Sequence, residues 1–117
     1  MSTPDTIYHV CHRIEWQYAQ TTGVYGGSSQ DQADGFIHFS GPAQVKASVA
    51  KHRAGQDDLV IIAVDPHALG EGLRWEVSRG GLLFPHLYGP LPVSAVKWVA
   101  DLPRGSDGSH VFPAIED

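Results

Sequence analysis

Short apolar runs alternate with polar, glycine-containing breaks along the chain, and this alternation outlines its elements. Residues 6–11, TIYHVC, are β-branched, aromatic and apolar, the composition of a strand. HRIEWQYAQ then sets Ile14 and Tyr18 four residues apart on one helix face, and the glycines of TTGVYGG end that helix. SSQDQADG, 28–35, is polar and turn-rich and reads as a loop; FIHFS, 36–40, reads as a short strand. GPAQVKASVAKHRAG, 41–55, is the clearest helix, with Pro42 near its first turn, Val45 and Val49 on its apolar face and Gly55 after its end.

The second half reads mostly as strand. DLVIIAVD, 58–65, is continuously apolar between acids, as expected of a central strand covered on both faces. GLRWEVS, 72–78, alternates Leu73, Trp75 and Val77 against Arg74, Glu76 and Ser78, the pattern of a half-exposed strand. RGGLLFPHLYGPLP, 79–92, reads as a long structured loop with a strand fragment, and VSAVKWVADLP as a last strand. The expected architecture is a single α+β domain with two helices in the first half, a core over 6–100 and a flexible tail over 104–117.

Composition narrows the class. The chain has 117 residues, 42% hydrophobic and 18% charged, which suits one globular core. No apolar run approaches the ~20 residues that span a bilayer. The start, MSTPDT, has neither a basic nor an apolar stretch of the signal-peptide kind. The only cysteine, Cys11, excludes an internal disulfide framework and fits a reducing cytoplasm. The formal charge is −5, and the eight Lys and Arg are scattered, which weighs against long nucleic acid as a partner while leaving room for a small phosphate site.

Of the seven histidines, His9, His38 and His86 lie inside apolar or aromatic runs. Strand periodicity places His38 and Ser40 on one face with Phe36, opposite Ile37 and Phe39, and places His9 on the face of Ile7 and Cys11. Were these strands neighbours, His9 and His38 would face one cavity. Phe84, His86 and Tyr88 alternate in a segment stiffened by Pro85, and an imidazole among rigid aromatics suits a flat ring or a ribose. The plain alternative for each histidine is a core side chain with its nitrogens satisfied; for Tyr88 it is simple packing, and for Glu76 an exposed strand face. No P-loop, dinucleotide fingerprint, H-E-x-x-H, C-x-x-C or nucleophile elbow is present.

Taken together, IYHV, DGFIHFS and LLFPHLYGPLP, with LRWEVSRGG before the last, resemble a small bacterial family, the domain of unknown function 952, over about residues 6–100. That resemblance implies the ADP-ribosylation fold, with two antiparallel sheets around a cleft. A looser similarity is to the NAD-dependent RNA 2′-phosphotransferases, in which a YHGT-like strand, a helix, a loop and an HVHLS-like strand follow in the order seen here. By resemblance, His9, Ser40 and Tyr88 would hold NAD or an ADP-ribose-like nucleotide, and His38, His86 and Glu76 would be the catalytic candidates. Glu76 or His86 would steady the charge that develops at the ribose C1. Val10 and Cys11 stand where those enzymes carry Gly-Thr, and no Q/E-x-E acid pair follows. Two other classes fit the same residues: a metal site of His9, His38 and His86 with Glu76, and a non-catalytic interaction module whose histidines build the cleft floor.

Overall fold

The structure, a computed structural model, describes residues 4–116, apart from the Arg79 side chain. The elements in chain order are β1 (Ile7–His12), α1 (Arg13–Thr22), β2 (Val24–Tyr25), α2 (Ser29–Asp34), β3 (Ile37–His38), α3 (Val45–His52), β4 (Leu59–Val64), β5 (Leu73–Val77), β6 (Leu83–Leu87), β7 (Leu91–Pro92) and β8 (Val96–Leu102). All strand pairs are antiparallel, in sheets ordered β1-β4-β8, β2-β7 and β3-β6-β5. The fold is α+β. Among the described residues, no helix is long and apolar enough to cross a membrane.

β4 is wholly buried, and its two faces serve two cores. Val60, Ile62 and Val64 pack with Ile7, Cys11, Trp16, Tyr25 and Phe39. Leu59, Ile61 and Ala63 pack with Tyr8 and with Val45 and Val49 of α3. A strand covered on both sides has no polar face to offer, which is why 59–64 lacks alternation. Cys11, fully buried beside β4, is a free thiol that burial pushes up to about 12.

Four expectations are corrected. The strands form three antiparallel sheets rather than two, because the short β2-β7 pair stands apart from the two three-stranded sheets. Residues 28–35 are not a loop but contain α2, so the first half holds three helices. Ser28 and Asp31 cap α2 reciprocally: Ser28 N donates to Asp31 Oδ2 at 2.8 Å, and Asp31 N donates to Ser28 Oγ at 3.3 Å. Gly35 ends the helix at φ 85°. The third helix starts at Val45 rather than beside Pro42, because residues 42–44 form a turn closed by Gly41 N donating to Gln44 Oε1 at 2.8 Å.

The segment after Pro103, expected to be loose, is docked. Phe112 and Ile115 pack on the core of Tyr8 and Ile61. The Tyr8 hydroxyl donates to Glu116 O at 2.8 Å and accepts from Glu116 N at 2.9 Å, and Trp98 Nε1 donates to Glu116 Oε1 at 2.9 Å. Ile115→Ala is expected to lower the urea-unfolding free energy by about 1–2 kcal/mol, below a full core truncation because Ile115 is only half-buried. An unchanged midpoint would show that the docked segment adds no stability.

Candidate functional site

The β3-β6-β5 sheet has one apolar face and one polar face. Ile37, Leu87, Leu73 and Trp75 turn toward the larger core. On the other face His38 stands opposite His86, and His86 opposite Arg74. Phe36 stacks on the His86 ring at 4.1 Å between centroids, and lies 4.6 Å from His38 and 5.2 Å from Tyr88. The strand then crosses to the first sheet: Tyr8 N donates to Ser40 O and Ser40 N to Tyr8 O, both at 2.8 Å. This crossing brings β1 and β3 side by side.

His9, His38 and Asp31 form one connected set. His9 Nδ1–H donates to His38 O at 2.6 Å, and His9 Nε2 accepts from the Tyr25 hydroxyl at 2.7 Å. Both nitrogens are spent inside the protein, and burial lowers the His9 pKa, so His9 is a neutral strut. Its ring ties β1 to the end of β3 and to β2. Asp31, buried on α2, accepts from His38 Nδ1 at 2.5 Å and His38 N at 3.0 Å through Oδ1, and from Ser28 N and Oγ through Oδ2. Burial works against the charge on Asp31, but the His38 ring and the Ser28 and His38 N–H groups outweigh it and hold the carboxyl far below its usual range. His38 Nε2 lies 3.0 Å from Asp34 Oδ2.

His86 differs from the other two. Its Nδ1–H donates to Glu76 Oε1 at 2.8 Å, and the same oxygen accepts from the Tyr88 hydroxyl at 2.7 Å. The bonds from Tyr88 and from His86 keep the Glu76 carboxyl below its ordinary range. In the neutral ring this fixes the tautomer with the lone pair on Nε2, for which no protein partner is found among the described residues.

A cleft of about 620 Å³ runs along these side chains, within the range of small-molecule sites. His9, His38, Ser40 and His86 line it, with Asp31 and Arg53. Ser40 Oγ donates to Ser48 Oγ at 3.1 Å on α3, and Arg53 is anchored to Val10 O at 2.9 Å. Glu76 and Tyr88 are not in the lining. They stand behind His86, where Glu76 touches His86 and Tyr88 touches Phe36 and, across 5.4 Å, the Arg74 guanidinium. The trio of imidazoles makes no metal centre: among the described residues, no three His, Cys, Asp or Glu side chains gather as ligands. Asp31 went unmarked in the sequence, although Ser28-x-x-Asp31 before Gly35 is a capping signature that pointed to it.

The family described as protein of unknown function (DUF952) matches residues 10–99, which hold the cleft-lining His38, Ser40 and His86. The chain belongs to the DUF952 family. A crystal structure of protein CC0527 from Caulobacter crescentus is similar at 48% identity and a TM-score of 0.87, covering 91% of this chain and 93% of that one. A solution NMR structure of CC0527 is similar at 48% identity and a TM-score of 0.80, covering 90% of each chain. No curated protein matches. The DUF952 match includes every candidate site residue except His9, which lies one position before it.

Proposed function

We propose that the cleft binds a small nucleotide of the NAD or ADP-ribose class and that His86 is the side chain that meets its ribose. One observation carries the reading: His86 is pinned through Nδ1 to Glu76, lines the cleft, and keeps Nε2 uncommitted. The ligand class comes from the resemblance of IYHV and FIHFS to NAD-dependent transferase strands, and from the ADP-ribosylation fold that this resemblance implies. Support comes from antiparallel sheets bordering one cleft, from its size, and from Arg53 and Ser40 in a wall suited to a phosphorylated sugar.

In this reading His86 accepts a proton or a hydrogen bond at Nε2 from a hydroxyl of the ribose or of an acceptor. Glu76 acts through His86 by fixing its tautomer and stabilising the ring when it charges. Tyr88 steadies Glu76. Asp31 sets His38 at the cleft wall, and His9 holds the β1–β3 junction.

Titration of the protein with NAD and with ADP-ribose, followed by amide shifts, tests the proposal. Shifts are expected at His38, Ser40 and His86. His86→Ala should weaken binding by about tenfold to a hundredfold, the worth of a hydrogen bond to a polarised ring. Unmoved amides at millimolar concentrations of both ligands would overturn it.

A further inference from the structure

Among the described residues, the outer edge of β5 carries no strand in the sheet ordered β3-β6-β5. Its register with β6 decides where each backbone group points. Tyr88 N donates to Gly72 O and Ser78 N to Leu82 O, both at 2.8 Å, and the pairs of Arg74 with His86 and of Glu76 with Phe84 fall between them. The even-numbered residues therefore spend their backbone groups on β6, and Leu73, Trp75 and Val77 turn theirs outward. Pro85, opposite Trp75, has no N–H and gives its carbonyl to Phe39 N at 2.9 Å. Leu73 N is used by Gly70 O. The Leu73 carbonyl and both groups of Trp75 and Val77 have no backbone partner among the described residues. Edges of this kind are guarded by short length, charged side chains, proline or a bulge; β5 has no proline or bulge, its two charges, Arg74 and Glu76, are of opposite sign, and its last residue, Val77, is 69% exposed.

We propose that the occupant of this edge is a second copy of the same chain, paired antiparallel about a two-fold axis at Trp75. The sequence Leu73-Arg74-Trp75-Glu76-Val77 is self-complementary in that register. Trp75 faces Trp75 of the second copy, and each exchanges N–H and C=O with the other. Each Val77 N–H donates to the free Leu73 carbonyl across the axis. On one face Leu73 meets Val77 beside the Trp75 pair, which makes an apolar row. On the other face Arg74 of each copy lies opposite Glu76 of the other, an opposite-charge cross-strand pair. Glu76 receives His86 and Tyr88 on Oε1, so its second oxygen is the one offered to Arg74 of the second copy. The pairing joins two three-stranded sheets into one and places an arginine behind each His86. It is independent of what the cleft binds.

Sedimentation velocity of the full chain, from micromolar to millimolar, reads the oligomeric state, and hydrogen exchange reads the edge. A dimer is expected, with Trp75 and Val77 amides that exchange slowly when concentrated and quickly on dilution. Arg74→Glu sets like charges opposite each other and should raise the dissociation constant about tenfold. Val77→Pro removes an outward donor without removing a bond to β6 and should leave a monomer; an amide spectrum confirms that each variant is folded. A monomer at millimolar concentration overturns the proposal. So does a dimer indifferent to both substitutions with fast-exchanging Trp75 and Val77 amides, or a monomer that takes an unrelated extended peptide along β5.

Discussion

Asp31→Ala is expected to remove about 3–5 kcal/mol of stability, a large share of the total for a domain of this size. The carboxylate is buried and accepts from Ser28 N, Ser28 Oγ, His38 N and His38 Nδ1. Alanine strands all four donors, and two of them also secure the start of α2. Asp31→Asn is the sharper probe, because its amide NH₂ would point at donors. Acid dependence gives an independent reading. The folded carboxyl takes up its proton well below the unfolded value of about 3.9, so the unfolded chain binds protons first as the pH falls. The contribution of Asp31 is therefore full above about pH 4 and is lost as the pH falls from there toward the folded value. Urea unfolding from pH 7 down to about pH 2 should show this loss in the wild type and a flatter profile in Asp31→Asn. Parallel profiles would mean that the Asp31 network does not govern acid stability.

Gly27→Ala should cost about 2–4 kcal/mol, much more than a glycine replacement elsewhere on the surface. Gly27 sits at φ 95°, and a Cβ there would lie 2.7 Å from Asp31 Cβ and 3.2 Å from Ile37 Cγ1. The first of these atoms cannot rotate away, so α2 has to move, and Asp31 moves with it away from His38. Gly35 is the control: its φ is 85°, but a Cβ there meets nothing within 4 Å, so Gly35→Ala should cost only the left-handed strain of about 1–2 kcal/mol. The comparison is read by chemical denaturation, with the His38 amide shift as a monitor of the site. Equal costs at the two positions would remove the claim that Gly27 is there to let α2 approach.

The uneven legibility of this chain has physical causes. Local burial writes itself into sequence, so β4 was readable from an unbroken apolar run and β5 from alternation. The interruption of FIHFS by His38 and Ser40 marked a polar strand face, and the structure sets that face on a cleft. Properties fixed by register and distant contact were not readable. Whether Glu76 reaches a ligand or only His86 depends on the β5–β6 offset, which no residue of either strand announces. The C-terminal segment is held by Tyr8, 108 residues away, and looked loose because its anchors are remote. Asp31 was hidden by composition: a six-residue polar helix has the make-up of a loop, and only its reciprocal cap distinguishes it.

The placement of Cys11 makes the protein carry its own clock. A thiol that is both sealed against β4 and held protonated gives reagents nothing to attack while the chain is closed. Modification by a small alkylating probe has to wait for β1 to part from β4. Its rate across a denaturant series therefore times that opening at a single natural atom, with no label added.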